Sequence, residues 1–364
     1  MIIKCNKDNL INGLNIAQRA TTSKSSNEIF ECILIEATDK IILYASDNEL
    51  AIKTEIDGEI LNPGKFAINA RLILDTIRKL PNELITITLK EKNIEITCKK
   101  SKITLFYINP DEFTFFNAFD KNNKKVFKQK HLKHLILKTI FSTSINENNK
   151  ILTGELLTIN NNKLKLTAMD GYRIALATVE NNDNYEDVEI ILPKKILYEL
   201  SKLLSDDESK EIIMYNTYQQ IIFEFEKTTI ISRLISGEYF NINKLINNDY
   251  DIKIKVNNKE FQDAINRALI VTISTEQTPI ILDITDNFTI YTNTTKGNVI
   301  EELDIIEKTG ENIKIAFNPN YLLEALKVID DEEITMYLTN ENSPVFIKDD
   351  IESYFYIILP VKTR

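Results

Sequence analysis

The sequence predicts an α+β chain built from three repeated helix–sheet domains. Three observations carry that expectation. A strand–helix–strand unit recurs at one spacing, an amphipathic helix leads each copy, and a hairpin-like stretch follows each leading helix.

The recurring unit reads KFAINARLILDTIRKLPNELITITL from Lys65, VEIILPKKILYELSKLLSDDESKEIIMY from Val188, and IKIAFNPNYLLEALKVIDDEEITMYL from Ile313. Each is a short strand, an amphipathic helix of about ten residues, an acidic or Pro turn, and an alternating strand. Ile68, Leu192 and Phe317 hold matching places, about 124 residues apart. The leading helices begin at Lys7, Lys128 and Asn257. Leu10, Leu14 and Ala17 fall on one face of the first, Leu132, Leu135 and Ile136 on one face of the second, and Phe261, Ala264, Ile265 and Ala268 on one face of the third.

Strand-rich stretches follow. LYASDNELAI in the first repeat and LTAMDGYRIA in the second share an Asp-led tip between apolar runs, which the third loosens to IYTNTTKGNVIEE. Asp-Asn and Asp-Gly suit a tight hairpin because Asn and Gly tolerate positive backbone angles. Polar stretches at 119–127 and 247–256 read as linkers, giving expected domains of 1–121, 126–247 and 252–364.

Composition narrows the function. The chain has 364 residues, 43% hydrophobic and 27% charged, with eight Gly and eight Pro, as a globular protein does. The N-terminus lacks a signal-peptide pattern and no apolar run approaches the ~18 residues of a membrane span, so a cytoplasmic protein is expected. Cys5, Cys32 and Cys98 form neither a disulfide framework nor a zinc motif. His131 and His134 are the only histidines and no third ligand follows them, so no metal or cofactor is expected. No phosphate loop, nucleophile elbow or Cys–His pair is present, and pairs such as Asp330–Asp331 and Asp349–Asp350 read as solvated turns. The chain is expected not to be an enzyme.

A net charge of -10 argues against nucleic acid until the cations are placed. Lys7, Arg19 and Lys24 belong to the first leading helix and the loop after it; Lys130, Lys133 and Lys138 to the second; Arg267 to the third. The later helices add Arg71 and Arg78, then Lys194, Lys195 and Lys202, while acidic residues gather in turns such as Asp206–Glu208. Basic helices in all three repeats predict one electropositive face that contacts phosphate without reading bases. A repeat-built protein-binding scaffold that does not encircle DNA is the alternative.

With the three repeats, the hairpin TAMDGYRIALA and the C-terminal YFYIILPVKTR, the chain resembles the bacterial DNA polymerase III β subunit, the sliding-clamp family, over essentially its whole length. The resemblance implies a head-to-tail homodimeric ring around duplex DNA, helices lining the hole and sheets outside, that tethers polymerases and the clamp loader through short peptides. It also implies a peptide pocket of Leu152, Met169, Gly171, Tyr172, Arg173, Ile174, Phe240, Lys244, Leu245, Tyr321, Pro344, Ile357, Leu359, Pro360, Val361 and Lys362, with Arg173 and Lys362 at its rim. Tyr172 stands where the family commonly has His, Phe240 where it has Pro, and Lys244 where it has Arg. Lys24 matches a basic loop position implicated in DNA contact. Lys150, with Ile151, replaces an aromatic pair that touches DNA in some members, and Lys150 joins the expected DNA-facing set. Ring closure by an edge strand is implied at Ile103 and Leu105 against Ile270 and Val271.

Overall fold

The computed structural model describes all residues except 24, 114–120, 182–184, 243–249, 273–277 and 363–364. Lys24, Lys244 and Leu245 therefore lie outside the described residues. One element order recurs three times, except that among the described residues the second copy has no strand between its hairpin and its second strand–helix unit. The first copy runs β1 (Ile2–Asn6), α1 (Lys7–Ala17), β2 (Cys32–Ala37), β3 (Ile41–Ser46), β4 (Leu50–Ile56) and β5 (Glu59–Asn62). It continues through β6 (Gly64–Asn69), α2 (Ala70–Lys79), β7 (Leu84–Leu89), β8 (Asn93–Cys98) and β9 (Ser101–Phe106).

The second copy comprises β10 (Lys125–Lys128), α3 (Gln129–Thr139), β11 (Gly154–Asn160), β12 (Lys163–Met169) and β13 (Arg173–Glu180). After them come β14 (Val188–Pro193), α4 (Lys194–Leu203), β15 (Glu211–Asn216), β16 (Gln220–Phe225) and β17 (Thr228–Arg233). The third comprises β18 (Ile252–Asn257), α5 (Asn258–Ala268), β19 (Ile280–Ile284), β20 (Phe288–Thr294), β21 (Gly297–Leu303) and β22 (Ile305–Thr309). It closes with β23 (Ile313–Phe317), α6 (Pro319–Lys327), β24 (Glu333–Leu338), β25 (Val345–Lys348) and β26 (Tyr354–Ile358). Every helix read from apolar periodicity is present.

The strands form four antiparallel sheets, and two of them cross repeat boundaries. β17 pairs with β4, so the eight-stranded order is β10-β15-β16-β17-β4-β3-β2-β6. β13 pairs with β26, giving the nine-stranded order β14-β11-β12-β13-β26-β25-β24-β18-β22. The remaining sheets are β5-β1-β7-β8-β9 and β21-β20-β19-β23. Shared sheets bind half of one repeat to half of the next, so the chain clusters into two compact units rather than three. One comprises Met1–Gln129 with Lys202–Leu234, the other Lys130–Ser201 with Ile235–Arg364.

In the first unit α1 packs on α2 and against β3 and β4, burying Leu10, Gly13, Leu14 and Ala17. A Cβ on Gly13 would lie 2.3 Å from the Ile56 side chain, so glycine there sets how closely helix and sheet approach. In the second unit α5 packs on α6, β20 and β21, with Phe261, Ala264, Ile265 and Ala268 all buried. Asparagine does local work at helix starts. The side chains of Asn69, Asn257 and Asn318 accept from the backbone N–H groups of Leu72, Glu260 and Asn320 and so cap α2, α5 and α6. Cys5, Cys32 and Cys98 are buried and unbridged, and burial pushes the Cys5 and Cys32 thiols up to about 11 and about 12. Among the described residues no helix is long and apolar enough to cross a membrane.

Candidate partner-binding groove and phosphate-facing helices

The tip between β12 and β13 is organised by one carboxylate. Asp170 Oδ1 accepts from the N–H groups of Tyr172 (3.0 Å) and Arg173 (3.1 Å), and Oδ2 accepts from Arg173 Nε (2.9 Å). Gly171 has φ +93°, a conformation that favours glycine, and its missing Cβ faces open space. Tyr172 projects outward, 61% exposed, stacked on Tyr321 with ring centroids 6.1 Å apart.

Arg173 departs from expectation. It is not a rim charge but a buried hub, with its side chain 8% exposed. Nη1 donates to Glu324 Oε2 (2.5 Å), Nη2 donates to the Phe141 carbonyl (2.7 Å), and the guanidinium lies 4.5 Å from the Tyr321 ring centroid and 5.3 Å from that of Phe141. A guanidinium leaves water only when its donors are met, and here Asp170, Glu324 and a carbonyl meet them.

Beside the hairpin lies a groove of about 480 Å³. Met169, Gly171, Tyr172, Arg173, Ile174, Phe240, Pro344, Ile357 and Leu359, all from the set the resemblance implied, line it. The C-terminal segment is tied to the hairpin by the Leu359 N–H, which donates to the Tyr172 carbonyl at 2.9 Å. Leu152 and Tyr321 line a neighbouring cavity of about 710 Å³ instead, which also shares Tyr172 and Arg173. Pro360, Val361 and Lys362 do not line the groove; Pro360 is half-buried, and Val361 and Lys362 are exposed beyond its end. Sequence reasoning missed Tyr250, Thr339, Ser343 and Phe346, which complete the wall. The aromatic run around Tyr337, Phe346 and Phe355 was the available signal.

The basic residues differ in exposure. Lys130 and Lys202 are exposed on α3 and α4, Arg71 is exposed on α2 at 3.8 Å from Asp75, and Lys150 is exposed in a short 3₁₀ turn. Arg19, Lys133, Lys194 and Lys195 are half-buried, and desolvation lowers the Lys195 pKa. Lys194 lines the larger cavity. Lys7 Nζ donates to the carbonyls of Arg78 (2.9 Å) and Leu80, satisfying the C-terminal end of α2. Arg78 itself donates to Asn15 Oδ1 at 2.8 Å, and Arg267 makes a two-pronged pair with Glu301.

Lys138 corrects the expectation outright. Its side chain is 6% exposed, and Nζ donates to Asp330 Oδ2 (2.7 Å) and the Val328 carbonyl, so it cannot face phosphate. The helical period that put it among basic neighbours also turns it onto α6. His134 lies in the same neighbourhood, and burial and then Lys138 lower its pKa. Among the described residues no group of three His, Cys, Asp or Glu could hold a metal.

Two of the sheet edges concern the expected ring contact. β9, carrying Ile103 and Leu105, is the edge of the five-stranded sheet, with Phe106 78% exposed. In the third repeat the edge is β21, with Ile300 64% exposed. Ile270 and Val271 sit not on a strand but in the turn after α5, where the Val271 carbonyl accepts from Thr294 at the end of β20.

Comparison with known proteins agrees with this architecture. Family profiles match residues 1–117 (DNA polymerase III beta subunit, N-terminal domain), 126–241 (central domain) and 243–362 (C-terminal domain). The chain is similar to a beta sliding clamp of Staphylococcus epidermidis, 30% identical over 370 residues and 98% of both chains. A Staphylococcus aureus beta sliding clamp is 31% identical over 372 residues, again 98% of both. Among solved structures, a putative DNA polymerase III beta subunit from Eubacterium rectale superposes over 100% of both chains at TM-score 0.95 and 39% identity. A DNA polymerase sliding clamp from Bacillus subtilis does so over 100% of both at TM-score 0.95 and 28% identity. With its thrice-repeated element order, its sheets shared between repeats and these matches along its length, the chain belongs to the DNA polymerase III beta subunit family, the beta sliding clamps.

Proposed function

We propose that the chain is a DNA sliding clamp, a non-catalytic processivity subunit that closes around duplex DNA as a head-to-tail homodimer. The domains of that ring are 1–121, 126–247 and 252–364. The observation that carries the reading is the order of half-sheets. β17 joins β4, and β26 joins β13, each time the last strand of one repeat to the second strand of the hairpin in the repeat before it. β9 and β21 hold those places at the two ends of the series, and both are open. A second copy completes the series by laying its β21 on β9, and the reverse. Closure removes two edges that would otherwise invite aggregation.

The repeat also supplies a register. Asp170–Arg173 and Thr294–Gly297 are matching hairpin tips, and Ile52 faces Ile230 across the β4–β17 junction. Carried to the ends, this alignment sets Ile103 opposite Val299 of the partner copy and Leu105 opposite its Gly297. The alternation of burial along β9 and β21 supports it, because Ile103 and Leu105 are half-buried on β9 and Gly297 and Val299 are among the half-buried positions on β21.

The exposed cations of α2, α3 and α4 would meet phosphates without reading bases. Polymerases and a clamp loader would dock short peptides in the groove, apolar side chains entering between Ile174, Pro344 and Leu359. Light scattering at micromolar concentration should give twice the 42.0 kDa chain mass. After loader-assisted assembly, the protein should stay on circular DNA and run off linear DNA; a persistent monomer, or indifference to linearisation, would sink the reading.

A further inference from the structure

The strand that forms the far wall of the groove carries a lysine caged by aromatic rings. Lys348 Nζ lies 5.6 Å from the ring centroids of Tyr250 and Tyr337 and 5.8 Å from that of Phe355. Its side chain is 14% exposed. Among the described residues its carboxylate partner is Glu352 Oε1 at 3.2 Å, on a side chain 65% exposed. A partner so open to water gives little, since solvent screens it. The rings are therefore the stronger hold, each presenting its negative face to the ammonium.

Tyr250 connects this cage to the groove. It lines the groove together with Phe346, and its ring leans on Phe346 and Tyr337 at centroid distances of 5.0 and 5.1 Å. Among the described residues its buried hydroxyl has no hydrogen-bond partner. No polar contact of its own thus fixes the Tyr250 ring; packing and the ammonium do. Burial raises the Tyr250 pKa to about 12, so the ring stays neutral and its face stays a quadrupole at working pH.

We propose that Lys348 is a positioning residue for partner binding: by occupying the aromatic cage it holds the Tyr250 ring as a fixed wall of the peptide groove. The proposal rests on the groove reading above. It assigns a binding role to a residue that does not line the groove, and it makes the role depend on charge rather than bulk. Methionine fills the volume of the lysine stem without the ammonium, whereas arginine keeps a cation that stacks on rings.

The probe is a fluorescein-labelled short peptide with a Leu–Phe centre flanked by Gly and Ser, titrated by fluorescence polarisation against the full-length protein. Lys348→Met should weaken binding about five-fold, Lys348→Arg should return it to within about two-fold of the parent, and Glu352→Gln should leave it unchanged. Tyr250→Leu, which removes the wall itself, should weaken binding at least as much as Lys348→Met. Equal affinities for Lys348→Met and the parent would overturn the proposal, as would a Glu352→Gln loss matching that of Lys348→Met. Equal losses in Lys348→Met and Lys348→Arg would assign a packing role instead and also overturn it. No binding by the parent protein would refute the groove reading, a result distinct from all of these.

Discussion

Glu155, near the start of β11, offers a sharp test of how this fold treats a buried charge. The residue is 0% exposed, and among the described residues its Oε1 has no hydrogen-bond partner. Thr139 Oγ1 lies 2.5 Å from Glu155 Oε2 and 2.9 Å from the Leu135 carbonyl oxygen. A hydroxyl has one proton to donate. Both contacts are satisfied together if Thr139 donates to Leu135 and a protonated Glu155 donates to Thr139. Desolvation favours that form, raising the carboxyl from 4.5 to about 8 against the opposing effects of Thr139 and Lys194. A raised carboxyl pKa gives stability that is fully present below about 4.5 and is lost as pH climbs towards about 8. At about 1.4 kcal/mol per pH unit, keeping the proton at pH 7 costs on the order of 3 kcal/mol. Glu155→Gln removes that cost, because an amide is neutral at every pH and its NH₂ can donate to Thr139. The variant should match the parent near pH 4.5 and exceed it by roughly 4 kcal/mol at pH 8. Urea unfolding from pH 5 to 8, read by hydrogen exchange at the β11 amides, measures the difference. Parallel pH profiles, or a Gln variant less stable at pH 8, would refute the reasoning.

The Lys138–Asp330 pair should respond asymmetrically. Asp330→Asn leaves an ammonium 6% exposed with only a carbonyl and the Tyr354 ring near it, at a cost of about 2–4 kcal/mol, while Lys138→Met leaves a carboxylate that water already reaches and costs at most about 1 kcal/mol. Thermal unfolding of both variants checks the order, and equal losses would contradict it. An Ile103→Cys, Val299→Cys double variant should oxidise to a covalent dimer in non-reducing gels, whereas Leu105→Cys with Val299→Cys should cross-link poorly; equal yields would reject the proposed register. Gly171→Ala meets nothing within 4 Å, so only its φ of +93° opposes it, and stability should fall by about 1 kcal/mol in chemical denaturation. A loss several times larger would show that the tip is held by more than its backbone.

The repeat was legible because it rests on local chemistry. Leu10, Leu135 and Phe261 each mark the apolar stripe of a helix, and stripes follow from spacing alone. The fusion of half-sheets was not legible. Nothing near Thr54 or Thr228 announces that their hydroxyls meet at 2.9 Å across a repeat boundary, since strand pairing at that distance along the chain is set by tertiary packing. The groove was partly legible through the hairpin, whose Asp-Gly tip has its own signature. Tyr250 was not, because it reaches the groove from a segment with no pattern in common with the hairpin.

Charge shows the same division between what spacing reveals and what packing decides. The sequence offers a series of basic residues on helices and invites the sum of their attraction for phosphate. The structure shows several already occupied: Lys7 closes the end of α2, Arg78 holds Asn15, Arg267 holds Glu301 and Lys138 is enclosed. A cation bound to a neighbour releases fewer counterions from DNA than a free one, so the attraction is weaker than the count implies. For a protein gripping DNA by contact this would be a defect. For the proposed ring it is consistent, because closure rather than affinity keeps the protein on the duplex, and strong phosphate contacts would only slow its travel. The net charge of -10 then ceases to be an objection, since the proposed mode of binding asks for a modest positive face and not for a basic protein.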